Sequence, residues 1–473
     1  MHFCKYIFNL MKKLLSFAVF VIISFQAYSN LVLPTIFKSN MVLQQNAIVK
    51  IWGWGKSGEI VSIQENWNDR IYNTKVSNNG KWDVEINTPR YGGPYNLIIK
   101  GNNTILLSNV LIGEVWVVSG QSNMEWSADS GIDNGELETK NANFPEIRLF
   151  SVSHNSAEYP QLNLDGDWKV CNPESMKSFS AIGYFFAKHM YENTKVPIGI
   201  INSSWGGTPA EAWTPEASIK SNPVLNKDAL SLKDVPWGPV KTGVIFNAMI
   251  APLIPFKIKG FLWYQGESNV ENAQNYDKLL VTMIASWRKL WKEDLPFYYV
   301  QIAPYKYGEG DNGVLLRNAQ RLVENSPSTA MTVISDIGNI NDIHPKNKKE
   351  VGIRLANIAL KNIYGYNRLV VSGPKLLLYE TKRNQIVLYF DSEIEKCDKN
   401  CKELFEIADN SGEFKSASVK VKSNTISLSN DKIALPIFAR FGWGNILEPM
   451  LSNKTGLPAS SFVTDNWLIF KGY

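Results

Sequence analysis

The sequence predicts an α/β chain in which a doubly wound parallel sheet is flanked by β-rich, sandwich-like regions at both ends. Three observations carry this. Between about 109 and 368, compact apolar runs alternate with amphipathic stretches, the rhythm of strand, loop and helix. From 30 to 108 the runs are shorter, alternate apolar with polar residues, and are split by Gly, Asn and Pro. From 369 to 473 strand-like runs return and end in a tail containing Gly442, Gly444, Pro449 and Pro458.

Composition bounds the chemistry. The 473 residues are 44% apolar and 20% charged, so ordinary globular cores can be buried. Lysine and arginine number 49 against 44 acidic residues. Setting aside Lys5, Lys12 and Lys13 leaves 46 against 44, and no basic run appears, which argues against a nucleic-acid binder. Aromatic residues reach 12%, with 15 Trp, which suits sugar stacking as well as ordinary cores. Residues 1–29 read as a signal peptide: three lysines, the apolar run Leu14 to Phe25, then Ala27-Tyr28-Ser29 as a cleavage site. The run is too short to span a bilayer comfortably. The mature chain, from Asn30, is expected to be exported to a periplasm or the outside without stable membrane insertion. Cys397 and Cys401 suit a local disulfide there, and a metal reading lacks further ligands.

Taken in order, Ala47–Gly53, Glu59–Gln64, Lys81–Ile86 and Tyr95–Lys100 read as strands of a small sandwich. Asn78-Asn79-Gly80 and Gly101-Asn102-Asn103 read as hairpin turns. In the middle region Val115–Ser119, Val196–Ile201, Gly260–Tyr264, Phe297–Ile302 and Thr332–Ser335 read as buried strands. Ser180–Tyr191, Tyr276–Trp291, Leu315–Glu324 and Lys348–Tyr364 read as helices. Gln385–Phe390 and Thr425–Leu428 are strands of the last region. In doubly wound folds reactive groups gather at the carboxyl ends of the strands.

Candidate chemistry sits at those ends. Gly120-Gln121-Ser122-Asn123-Met124-Glu125-Trp126 follows Val115–Ser119 and presents a serine at a sharp exit. It is not the elbow of the α/β-hydrolases, which needs glycine where Met124 stands. A nucleophilic serine needs a base. The mature chain offers His154, His189 and His344. His189 lies within a helix, and His154 in a polar loop with no acid within three residues. His344 follows Asp342 by two residues in a loop before a helix whose first turn suits Pro345. Trp205-Gly206-Gly207-Thr208 and Gln265-Gly266-Glu267-Ser268-Asn269 each follow a strand and could surround an oxyanion.

These pieces resemble the SGNH hydrolases, and within them the sialate O-acetylesterase family. GQSNMEW at 120–126, GGTPAEAW at 206–213, FNAMIAPLIPFKIKGFLWYQGESN at 246–269 and DIHPKNKKEVGIRLA at 342–356 carry the resemblance, with flanking matches at 40–59 and 456–467. It implies an SGNH-type sheet and an esterase acting on acetylated carbohydrate, with no metal or organic cofactor. Ser122 would be the nucleophile, His344 the base and acid, and Asp342 the group that orients His344. The Ser122 N–H, Gly207 and the Gln265 side chain would form the oxyanion hole. The wider superfamily places the acid three residues before the histidine, where this chain has Asn341, so Asp336 stands in reserve. Its third-block asparagine is not cleanly placed among Gln265, Glu267 and Asn269. Gln121, Asn123, Glu125, Trp126, Trp205 and Glu267 are candidate substrate contacts, and Trp213 and Trp263 lie beside the motifs. Sialic acid is the first expectation for the sugar, acetylated xylan or another plant glycan the second. A non-catalytic carbohydrate binder and a glycosidase built on two carboxylates are the competing classes.

Overall fold

The computed structural model describes residues 30–464 and Trp467. The predicted leader, 1–29, lies outside them. The chain is a mixed α/β fold built on one large sheet, with antiparallel sheets at each end. Its central path runs Thr329–Thr332, Phe297–Val300, Gly260–Tyr264, Thr104–Gly120, Ile198–Ser204, Phe144–Val152 and Gly166–Cys171. All neighbours along it are parallel except the last pair.

The continuous apolar runs are explained by cover on both faces. Trp116 meets Phe186 of the helix Ala181–Thr194, and Phe261, in register with the next residue Val117, meets Trp287 of the helix Tyr276–Trp291. The helix Lys348–Tyr364 packs beside Ala181–Thr194. Gly260–Tyr264 is therefore buried at every position.

The 17-residue strand Thr104–Gly120 also ties the N-terminal region to this sheet. Its first half pairs with Gly92–Lys100 and with Val42–Gln44. The pair Ala47–Trp54 and Lys81–Thr88 supplies the second layer of the sandwich. After it, a separate core of Ile386, Leu388, Phe405, Ile407 and Phe441 joins two four-stranded antiparallel sheets. That region is latched to the middle one by polar contacts: Arg317 donates to the carbonyls of Gly444 and Asn445, and Gln301 to Ser460 Oγ. Cys397 and Cys401 are disulfide-bonded, and Cys171 is free and buried.

Three local expectations need correction. The strand expected at Thr332–Ser335 is Thr329–Thr332, because Met331 and Thr332 pair with Tyr299 and Val300 while Val333 already turns away. The turn Asn78-Asn79-Gly80 joins strands of different sheets, whereas Gly101-Asn102-Asn103 closes a hairpin between paired strands. Pro345 lies outside the first helical turn; Asn347 caps that helix by accepting from the Glu350 N–H.

Gly120 is a point of close strand approach in the sheet. Its φ is +133°, and a Cβ there would stand 2.1 Å from the Tyr264 carbonyl oxygen. Gly120→Ala combines backbone strain with a main-chain clash and is expected to destabilise the fold by more than about 3 kcal/mol. Urea unfolding checks this; a midpoint equal to wild type would contradict it.

Candidate active site

Three motifs converge because three strands end at one level. Gly120 is in register with Ser204 on one side and Tyr264 on the other. The residues that leave the sheet there are Gln121-Ser122, Trp205-Gly206-Gly207 and Gln265-Gly266-Glu267. The Gln121 N–H donates to the Tyr264 carbonyl, and Gln121 Oε1 accepts from the N–H groups of Ser268 and Gly266. Gln121 thus binds two of the exits together. A short helical turn, Ser122–Glu125, follows at once. Ser180, the cap of the helix Ala181–Thr194, donates to the Met124 carbonyl at 2.6 Å and fixes that turn to the helical layer.

Ser122 Oγ lies 2.9 Å from His344 Nε2, although the residues are 222 apart in sequence. The imidazole stacks on Trp126, with centroids 4.0 Å apart and planes 19° from parallel. Asp342 engages His344 through the main chain: its Oδ1 accepts the His344 N–H at 2.9 Å. Asp336, the reserve acid, is taken up by Arg354, whose guanidinium grips both carboxylate oxygens. Burial, and then the neighbouring Lys348, hold the His344 imidazole below its ordinary 6.5, while Asp342 pulls the other way.

Asn123 is the clamp beneath this pair. Its amide nitrogen donates to Glu267 Oε1 at 2.6 Å and to the Ile343 carbonyl at 2.9 Å, and its oxygen accepts from Lys348 Nζ at 2.6 Å. Lysine only donates and a carbonyl only accepts, so the amide has one satisfying orientation. Asn123 is 1% exposed. It was expected to contact substrate; with all three of these bonds made inside the protein, it is a structural tie between the Ser122 and His344 loops. Burial pushes the Glu267 carboxyl up and the Lys348 ammonium down, and their mutual attraction opposes both shifts. Glu267 Oε2 is buried without a hydrogen-bond partner among the described residues.

The Gly206–Gly207 loop lies on the other side of Ser122. A Cβ at Gly206 would be 3.3 Å from the Ser122 Cβ, and Gly207 has φ +69°. Glycine satisfies both the close approach and the left-handed backbone. Among the described residues, neither the Ser122 N–H nor the Gly207 N–H meets an acceptor. Gln265 does not join them. It is fully buried, donates to the Thr208 carbonyl and to Asn269 Oδ1, and accepts from the Tyr276 hydroxyl. Asn269 is likewise spent on Ala210 and Glu211. Both build the floor under the loop. Trp213 and Trp263 are core residues, packed edge to face at 6.0 Å.

Ser122, Glu125, His154, Trp205 and His344 line one open cleft of about 660 Å³, with Gln121 and Glu267 at its base. Trp205 stacks on His154, and Glu125 bonds His154 and the Gly206 N–H. His154, Lys348 and Trp237 are site residues that sequence reasoning missed. No acid adjoins His154 in sequence; its carboxylate partner comes from another loop. Lys348 lies in the DIHPKNKK segment and reads there as an ordinary helix-start lysine. Trp237 sits in a loop outside every motif and donates to the Gly207 carbonyl.

Asn123→Ala removes the clamp and leaves the Lys348 head without that acceptor. It is expected to destabilise the protein by roughly 2–3 kcal/mol and to lower kcat more than it raises KM. Denaturant melts and steady-state kinetics on p-nitrophenyl acetate check both, and wild-type values in both would refute the clamp.

Residues 112–361 match the family model described as "carbohydrate esterase, sialic acid-specific acetylesterase". The chain is 30% identical to the sialate O-acetylesterase of Homo sapiens, across 90% of this chain and 91% of that protein. It is 29% identical to the sialate O-acetylesterase of Rattus norvegicus, across 78% and 80% respectively. The crystal structure of a carbohydrate acetylesterase from Xanthomonas citri superposes with a TM-score of 0.84 at 34% identity, covering 93% of this chain and all of that one. The chain therefore belongs to the sialic acid-specific acetylesterase family of carbohydrate esterases and is a carboxylic ester hydrolase.

Proposed function

We propose that this protein is an exported SGNH-type serine esterase that removes O-acetyl groups from carbohydrates, O-acetylated sialic acids first among them, through an acetyl-enzyme on Ser122. The observation that carries this reading is the 2.9 Å contact between Ser122 Oγ and His344 Nε2 in an open cleft at the strand ends. Export rests on the leader pattern of 1–29; among the described residues no helix is long and apolar enough to cross a membrane.

The geometry supports a two-step acyl transfer. Ser122 Oγ attacks the acetyl carbonyl carbon as its proton passes to His344 Nε2. The carbonyl oxygen becomes an oxyanion facing the Ser122 and Gly207 N–H groups, each worth roughly 3 kcal/mol when aimed at it. The intermediate collapses, the bond to the sugar oxygen breaks, and His344 returns its proton to that oxygen. Water then attacks the acetyl group on Ser122, its proton going to His344. Acetate leaves and the proton returns to Ser122 Oγ. Asp342 positions His344 by holding its N–H, and its charge favours the imidazolium that forms. Trp126 keeps the ring plane. Gln265 acts from below, through the Thr208 carbonyl it holds beside Gly207.

Acetylated xylan or another plant glycan is the second reading of the sugar. The Xanthomonas citri relative, described only as a carbohydrate acetylesterase, favours keeping it. Acetate release from O-acetylated sialic acid and from acetylated xylan, measured side by side, separates the two.

Ser122→Ala is expected to lower kcat at least about a thousandfold, read as acetate release, with the melting temperature unchanged. A fully active variant would end this mechanism. Because the base must be neutral and its imidazole is held below 6.5, activity should fall as pH drops through a midpoint under 6.5. A kcat/KM profile with its acid midpoint at or above that value would contradict His344 as the base.

A further inference from the structure

A second imidazole and carboxylate meet across the same cleft from His344. His154 Nε2 is 2.9 Å from Glu125 Oε1 and 3.0 Å from the Ser204 carbonyl. Both partners are acceptors, so Nε2 carries hydrogen whether the ring is neutral or charged. The other carboxylate oxygen, Glu125 Oε2, accepts the Gly206 N–H at 2.7 Å. The His154 ring lies flat on Trp205, with centroids 4.5 Å apart and planes 2° from parallel. Trp205 in turn donates to the Trp237 carbonyl, and Trp237 to the Gly207 carbonyl, both at 3.2 Å. The Gly206 N–H and the Gly207 carbonyl are thus both held from this side, while the Gly207 N–H meets no acceptor among the described residues.

We propose that Glu125 and His154 are positioning residues for acyl transfer: Glu125 holds the Gly206 N–H so that the next N–H, that of Gly207, faces the oxyanion, and His154 fixes that carboxylate and offsets its negative charge. This rests on the reading of Ser122 as nucleophile. The spacing explains the pairing. Glu125 lies three residues after Ser122 on the same helical turn, so a carboxylate that reaches Gly206 also stands close to the reacting carbon. An uncompensated negative charge there would oppose the developing oxyanion, more strongly in a partly desolvated cleft than in water. His154 supplies the compensation from the loop after the strand Phe144–Val152.

The charged groups facing His154 are few. Glu125 adjoins it, and His344 and Glu267 line the same cleft. The hydrogen bond to Glu125 raises the His154 imidazole above its ordinary 6.5, against a smaller opposing effect of burial. The two histidines of the cleft are therefore shifted in opposite directions, which suits a neutral His344 beside a cationic His154. Loss of the His154 proton should then lower activity on the alkaline side, at a pH above 6.5.

The test uses the full chain, p-nitrophenyl acetate and the variants E125A, E125Q and H154Q. E125A should lower kcat roughly tenfold or more with KM changed less than about threefold. E125Q should recover part of that loss, since its amide oxygen can still accept the Gly206 N–H. H154Q can still donate to Glu125 but carries no charge; it should run at a reduced rate and lose the alkaline decline of the wild type. Should E125A fold poorly, H154Q, at a half-exposed position, carries the test alone. A wild-type profile with no alkaline decline, or an H154Q profile that retains both the decline and the wild-type kcat, overturns the inference. Ser122→Ala separates the levels: if it is inactive while H154Q and E125A match wild type, only this inference fails, and if it is active, the reading beneath it fails as well.

Discussion

One amide side chain brings Ser122 and the His344 imidazole together. Ser122 leaves the sheet from its middle strand, whereas His344 comes from the loop after its edge strand. Nothing in the sheet itself requires them to meet. Asn123 adjoins Ser122 in the chain, and its nitrogen holds the carbonyl of Ile343, the residue before His344. Its oxygen meanwhile holds Lys348 at the start of the following helix, and its second hydrogen holds Glu267 from the loop after the neighbouring strand. Three loops are thereby fixed to one planar group whose directions are set by bonding geometry. The 2.9 Å spacing between Oγ and Nε2 follows from that tie.

Such a clamp is stable only because each element around it is already placed. A buried amide with unmet partners would be destabilising by the desolvation of every orphaned group. The in-register ending of Gly120, Ser204 and Tyr264 delivers the loops to one level, and Gly120 lets two of the strands approach without a side chain between them. The Glu267 carboxylate and buried Lys348 oppose each other through Asn123, so the charge each would leave uncompensated alone is shared across the amide. The helix cap at Ser180 closes the arrangement from the other layer by seizing the Met124 carbonyl.

Most of the fold was legible because it rests on periodicity. Gly260–Tyr264, Tyr276–Trp291, Lys348–Tyr364 and Gln385–Phe390 stand at the bounds their apolar patterns predict. Thr332–Ser335 was misplaced because Val333 and Ile334 continue an apolar run past the last paired residue; their burial comes from loop packing, not from the sheet. In the site, residues beside the serine in sequence were legible as neighbours but not as partners. Asn123, Gln121 and Gln265 carry side chains suited equally to a substrate hydroxyl and to a protein carbonyl. Sequence does not say which of these a fully formed loop will present. His154 was passed over for the same reason, since its carboxylate partner is 29 residues away in the chain and joins it only across two strand ends.

The aromatic side chains show how the same composition serves different ends. Trp213 and Trp263 cross edge to face in the interior, where large rings fill space between sheet and helices. Trp126 and Trp205, each beside a motif, lie flat on His344 and His154. A flat stack fixes a ring plane while leaving the nitrogens in that plane free to bond at the edge. For His344 this matters because Asp342 reaches its main-chain N–H, so the carboxylate sets where the residue stands and the indole sets how the ring lies. Orientation of the imidazole is thus divided between a loop hydrogen bond and an aromatic face. That division accommodates an acid two residues before the histidine instead of three: the shorter spacing suits a carboxylate folding back onto the backbone, and Trp126 supplies the constraint on the ring that the backbone contact lacks.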